Sequence, residues 1–174
     1  MYRKVILTVV GSDRPGLTRA IAEAVQAGGG NWLESHLSRL GGRYVGSVLV
    51  ELPESRLDEL EEAARRIDAI GLKLQLVDAI DVDDREGELV GLEIVGQDRP
   101  GIVREVTGVL AALDVNIEEL MTTIEASAWS GAPLFRAKVK MQVPSTVSAQ
   151  SVREALEGIS GEIMVDFAIE PALS

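Results

Sequence analysis

Two turns in this chain carry almost the same string. GSDRPG spans 11–16 and is followed by Leu17; GQDRPG spans 96–101 and is followed by Ile102. An Asp carboxylate suits an ammonium group, and the free N–H groups of a helix start suit a carboxylate. Held side by side, the two would clamp an α-amino acid. Asn31 and Asn116 stand at the same offset of 85 residues, and each offers an amide that both donates and accepts. A mechanical reading of the same turn stays open. In it Asp caps the helix, Pro opens the first helical turn and Gly allows close packing. That reading alone does not require an Arg beside the Asp in both copies.

Other chemistries are poorly supplied. There is no Cys and a single His, His36. Disulfides, thiolate nucleophiles, Cys-based zinc sites and His clusters are all excluded, so no metal site and no cofactor is expected. His36 lies in a strand-like segment with no partner signature and reads as an ordinary surface or half-buried histidine. No pair of carboxylates has a spacing that implies catalysis, and no catalytic residue is assigned. Gly11 and Gly16 have the glycine spacing of a phosphate loop, but Leu17-Thr18 follows where Lys-Ser/Thr is needed. Aromatic residues are only 3% of the chain, which argues against base-stacking or sugar-stacking surfaces. Trp32 and Trp129 are expected to pack against core or partner.

Charge points the same way. Lys and Arg number 17 against 28 Asp and Glu, for a net −11. Such a chain repels phosphate backbones. Its densest cationic spots, Arg65-Arg66 and Lys138–Lys140, are short, and the first has Glu61, Glu62 and Asp68 around it. Direct binding to nucleic acid or to an anionic membrane is not expected. The apolar run Val5–Val10 is too short for a signal peptide or a membrane span, and the chain reads as cytoplasmic.

The elements that must position the turns follow from the repeat. Pairing 9–27 with 94–112 gives eight identities in nineteen positions, against roughly one for average composition. Each copy parses alike. An apolar strand, 4–10 or 89–95, precedes the turn. A helix face follows, marked by Leu17, Ile21, Ala24 and Val25 or by Ile102, Val106, Val109 and Leu110. Two strands come next, 31–40 and 43–52 around Gly41-Gly42, or 116–126 and 134–143. In 31–40, alternation puts Leu33 and Leu37 on one face and Trp32, Glu34, His36 and Ser38 on the other. A second amphipathic helix and a last strand, 72–80 or 163–169, complete a β-α-β-β-α-β order. That order predicts an α+β fold of two ferredoxin-like modules in tandem, an antiparallel sheet with two helices on one face in each. The modules are 1–80 and 89–174, joined by an acidic linker over 81–88.

The duplicated DRPG turn, the Asn that opens the next strand and the strand order resemble ACT domains, small amino-acid-sensing regulatory modules. The resemblance covers essentially the whole chain. Asn31-Trp32-Leu33-Glu34-Ser35, Leu40-Gly41-Gly42 and Ser130-Gly131-Ala132-Pro133-Leu134-Phe135 further resemble the glycine cleavage system transcriptional repressors. That resemblance implies a non-enzymatic regulator. It would bind a small amino acid, glycine or serine, at an interface between ACT domains. It would act through a protein partner, a DNA-bound transcriptional activator, as a homodimer. The implied ligand residues are Gly11, Asp13, Arg14, Pro15, Gly16, Leu17 and Asn31, with Gly96, Asp98, Arg99, Gly101, Ile102 and Asn116 in the second copy. Two alternatives stand beside it. One is a ligand-free interaction module. The other is a relic of an ACT-containing enzyme such as formyltetrahydrofolate deformylase, for whose catalytic domain the chain, ending at Ser174, leaves no room. The copies diverge at Gly28-Gly29-Gly30 against Leu113-Asp114-Val115, and only the second has the long hairpin loop 127–133. One of the two sites is therefore open to having lost its ligand, and the residues do not say which.

Overall fold

The computed structural model describes residues 1–68, 71–80, 86–128 and 130–167. The chain divides into two units, Met1–Val82 and Asp83–Ser174. Trp129, Ile70 and residues 81–85 of the acidic linker lie outside the described residues, as do 168–169 of the expected last strand.

In the first unit the order is β1 (Tyr2–Ser12), α1 (Leu17–Ala27), β2 (Asn31–Leu40), β3 (Arg43–Pro53), a 3-10 turn (Glu54–Arg56), α2 (Leu57–Asp68) and β4 (Leu72–Asp78). In the second it is β5 (Glu88–Gln97), α3 (Ile102–Ala112), β6 (Asn116–Ala126), β7 (Pro133–Val143), α4 (Ala149–Glu157) and β8 (Met164–Phe167). The two sheets are antiparallel, with strand orders β2-β3-β1-β4 and β6-β7-β5-β8. This is the ferredoxin-like βαββαβ topology twice over.

Each module has its own core. In β1 the alternate residues Val5, Leu7 and Val9 are buried against Leu17, Ile21 and Val25 of α1 and Leu60 of α2. In β5 Val90, Leu92 and Ile94 face Ile102, Val106 and Leu110 of α3, with Val152 and Leu156 of α4. Period-2 and period-3.6 apolar stripes thus meet across one sheet face, as the pattern requires. At the tip of β2–β3, Gly41 and Gly42 both have positive φ, 57° and 76°. That pairing is the two-residue turn whose twist suits a hairpin.

The face assignment of β2 needs correction. A bulge between Trp32 and Glu34 shifts the register, so Trp32 lies opposite Val50 and Leu37 opposite Gly46. Trp32 and Leu37 therefore share the core face, and Leu33 is left exposed. One extra residue flips every side chain on one side of it relative to strict alternation. The second copy has its bulge at the matching place, between Ile117 and Glu119.

The capping role given to Asp13 and Asp98 is also corrected. The N-cap residues are Gly16 and Gly101, with φ of 90° and 89°, and neither helix start has a side-chain cap. Two residues, Arg14-Pro15 or Arg99-Pro100, separate each Asp from its N-cap. Only glycine enters this left-handed conformation without steric cost. Both prolines precede their helix and do not open its first turn.

Candidate ligand site at the strand–helix turn

The register decides what surrounds the first turn. Ser12 at the end of β1 pairs with Arg43, Arg43 pairs with Leu40, and Arg39 pairs with Tyr44. The hairpin end of β2 and the start of β3 are thereby brought to the GSDRPG turn. There the Asp13 carboxylate meets Arg39 Nε at 3.1 Å. Arg43 donates to Ser12 Oγ at 3.2 Å. Thr18, in the first turn of α1, shares a 2.6 Å hydrogen bond with the Tyr44 hydroxyl. Arg39 is 72% exposed and Asp13 35%, so anion and cation stand side by side at an open surface. Gly11 is buried beneath them, and a Cβ there would lie 2.6 Å from Leu72 Cδ1 and 2.9 Å from the Gly71 carbonyl. Gly11 therefore allows β4 to pack close to β1. Leu17 is buried in the core.

The second turn has the same backbone and different neighbours. Arg99 turns back on its own helix and forks onto Glu105, with Nη1 donating to Oε1 at 2.8 Å and Nη2 to Oε2. This hydrogen-bonded pair holds the Glu105 carboxyl below its ordinary range and the Arg99 guanidinium above its own. Ala20 occupies the position of Glu105 in the first copy. The Asp98 backbone N–H donates to the Pro133 carbonyl at 3.1 Å. Opposite Phe135 stands Ile124, in the register that pairs Arg39 with Tyr44. Val103 replaces Thr18 and Leu134 replaces Arg43. Ile102 is buried, like Leu17.

The two asparagines are not brought to the turns of their own modules. Asn31 pairs with Glu51, which pairs with Lys4. Lys4 is eight residues from Ser12, about 27 Å along an antiparallel strand. Asn31 thus opens β2 at the opposite end of the sheet from Asp13. It is exposed. Asn116 opens β6 in the same way, and its amide donates to Glu118 Oε1 at 2.5 Å. Within one module, therefore, the turn and the Asn do not reach the same small ligand.

Sequence reasoning missed Arg39, Arg43, Thr18, Tyr44 and Glu105. A usable signal was present for the first four. Counting outward from Gly41-Gly42 and laying β3 antiparallel to β1 puts Arg39, Arg43 and Tyr44 near Ser12, and Thr18 follows the turn directly in sequence.

Elsewhere, a shallow groove of about 210 Å³ on the open face of the first sheet is lined by Ile6, Glu34, His36, Ser47 and Leu49. His36 Nε2 lies 2.9 Å from Glu34 Oε1 there. An open groove of about 790 Å³ runs along α3, lined by Gly101, Glu105, Gly108, Ala112 and Ile159. Among the described residues no group of three His, Asp or Glu could hold a metal ion, and no helix is long and apolar enough to cross a membrane.

The family model of the ACT domain matches residues 3–76. The first module is an ACT domain. The second module, which that match does not reach, repeats the same βαββαβ topology. ACT domains are regulatory modules. A crystal structure of an unknown protein from Galdieria sulphuraria is 28% identical over 97% of this chain and 100% of that one, with a TM-score of 0.76. A protein provisionally named a glycine cleavage system transcriptional repressor is 17% identical over 97% of each chain, with a TM-score of 0.70. At that identity the likeness is one of fold. No curated protein matches the sequence.

Proposed function

We propose that this tandem ACT protein is a non-enzymatic regulator that senses a small amino acid and relays it to a protein partner. The observation that carries the reading is the strand–helix turn, built twice on one backbone with Asp and Arg beside a left-handed glycine. In the first copy an anion and a cation stand together at its surface, which complements the two charges of an α-amino acid. Glycine and serine are the first ligands to try, from the resemblance to the glycine cleavage repressors. Repression through a DNA-bound activator follows from the same resemblance and agrees with the net charge of −11. A homodimer would let an Asn at one end of a sheet meet a turn from another copy.

A thermal-shift screen of the twenty amino acids tests the reading. A ligand at 100 times its Kd stabilises by about 2.7 kcal/mol. No shift with any amino acid at millimolar concentration rejects it. Direct DNA binding is the contrary outcome to check beside it; purified protein is expected to give no salt-dependent gel shift.

One observation favours the ligand-free interaction module. Residues 118–126 of the edge strand β6 are exposed throughout, among them Leu120, Met121 and Ile124. An exposed apolar edge strand is a template for pairing with another chain. Concentration-dependent association without any amino-acid response would select that reading.

A further inference from the structure

Although the two turns share a backbone, their side chains differ where a zwitterion would be met. Three contrasts point one way. The Asp13 carboxylate has Arg39 beside it at 3.1 Å; Asp98 has Ile124 at the matching register position. The first turn has Ala20 where the second has Glu105, whose carboxylate already forks onto Arg99. The hydroxyl pair Thr18–Tyr44 of the first turn becomes Val103 and Phe135 in the second.

An amino acid carries an ammonium and a carboxylate a few ångströms apart. Asp13 and Arg39 present the opposite charges at a comparable spacing. Their mutual attraction is weak at so exposed a site, because water screens it, so a ligand that meets both charges replaces little. The second turn differs in geometry more than in exposure, its Arg99 and Glu105 being 38% and 41% exposed and joined by two hydrogen bonds. Glu105 supplies from within the chain the carboxylate that a ligand would bring to Arg99. A ligand there must break a two-pronged, charge-assisted contact, which is the stronger kind of ion pair.

We infer that the first module is the sensing copy, that its Asp13–Arg39 pair recognises the free α-ammonium and α-carboxylate of an amino acid, and that the second turn is closed by its own Arg99–Glu105 pair. This rests on the function proposed above and goes further by choosing the copy and the charge pattern of the ligand. The groups around the pair agree with a polar occupant, since Ser12 and Arg43 flank it.

Titration calorimetry on the full chain, with glycine, serine and then the other proteinogenic amino acids, tests it. The amino acid that binds is expected to do so with one site per chain. Its amide and its N-acetyl derivative, each lacking one charge, should bind at least tenfold more weakly. Arg39→Ala should weaken binding at least tenfold, with the ligand-free melting temperature little changed because Arg39 is an exposed side chain. Arg39→Lys, which keeps the charge and loses the fork, should fall between. The double variant Glu105→Ala/Ile124→Arg frees Arg99 and builds the missing pair, and its stoichiometry should rise to two. Two sites per chain in the unaltered protein, or full affinity in Arg39→Ala, overturns the inference while leaving the sensing function intact. A stoichiometry that stays at one in the double variant rejects the charge pair as the deciding feature. Binding by no amino acid at all overturns the function itself, and this inference with it.

Discussion

The two modules hold the same backbone at the points that shape the turn and differ in what they hang on it. Gly16 and Gly101 agree in φ to within a degree, and both edge strands bulge at the matching pair of residues. The outward sheet faces have parted. That of the first module carries Ile6, Val10, Leu49 and Val77, the second Glu93, Arg136, Lys138 and Lys140. Arg136 bridges Glu93 and Glu125 there. Helix contact has parted as well. A Cβ on Gly28 would lie 3.0 Å from Leu60 Cβ, so α1 ends tight against α2. Leu113 stands in that position in the second copy, and an open groove runs along α3. A duplicated fold can therefore be conserved in its glycines and core period while its surfaces take on separate tasks.

The largest test of that comparison is in the cores. Leu7→Ala and Leu92→Ala each empty a fully buried site and should cost about 2–5 kcal/mol. With separate cores, each should lower the denaturation midpoint of its own module. Equal loss of one shared transition, followed by module-specific tryptophan and amide probes, would break the comparison.

Next comes the buried glycine before each turn. Gly11→Ala drives a methyl into the Gly71 carbonyl and Leu72, and overpacking of this kind costs about 1–3 kcal/mol. At Gly96 the nearest atom is a side-chain carbon of Ile163 at 3.2 Å, which can shift. Gly96→Ala should change stability by less than about 1 kcal/mol, since reduced chain entropy in the unfolded state offsets the contact. Urea midpoints of the two variants should differ clearly.

A smaller pair lies at the helix ends. Gly29 has φ of 65° and Asp114, its counterpart, 58°. A left-handed conformation costs an L-residue about 1–2 kcal/mol. Gly29→Ala should destabilise by that amount, with Arg56 Nη1 forced aside from 2.2 Å. Asp114→Gly should gain up to about 1 kcal/mol, because glycine gives back part of the relief as chain entropy.

The smallest effect is a pH dependence. Glu59 is held below the ordinary carboxylate value by its hydrogen bond from Arg56, and Glu105 likewise by Arg99. A carboxyl depressed in the folded state stabilises above its unfolded value and loses that contribution as pH falls through the folded value. Glu59→Gln and Glu105→Gln should each lower the melting temperature slightly at pH 7 and not at all in acid. A loss that persists at low pH would mean packing, not charge.

The repeat itself determined much. The matching DRPG strings, the apolar periods and the hairpin glycines were enough for the number of modules, the element order and most core residues, because all of these are local or periodic features. Ile21 and Leu110 could be assigned to the core from helical spacing alone. Three matters needed the tertiary structure. The bulge after Trp32 put Trp32 and Leu37, five residues apart, on one face and left Leu33 exposed, a change of phase that strict alternation read across the strand passes over. The partner of Asp13 proved to be Arg39 and that of Arg99 to be Glu105, choices set by strand register and by a helix turning beside its own loop. Asn31 was placed some eight strand residues from the turn it was expected to join. Residue types say which charges are available, but only the closed sheet brings residues far apart in the chain to ion-pair distance and holds others apart.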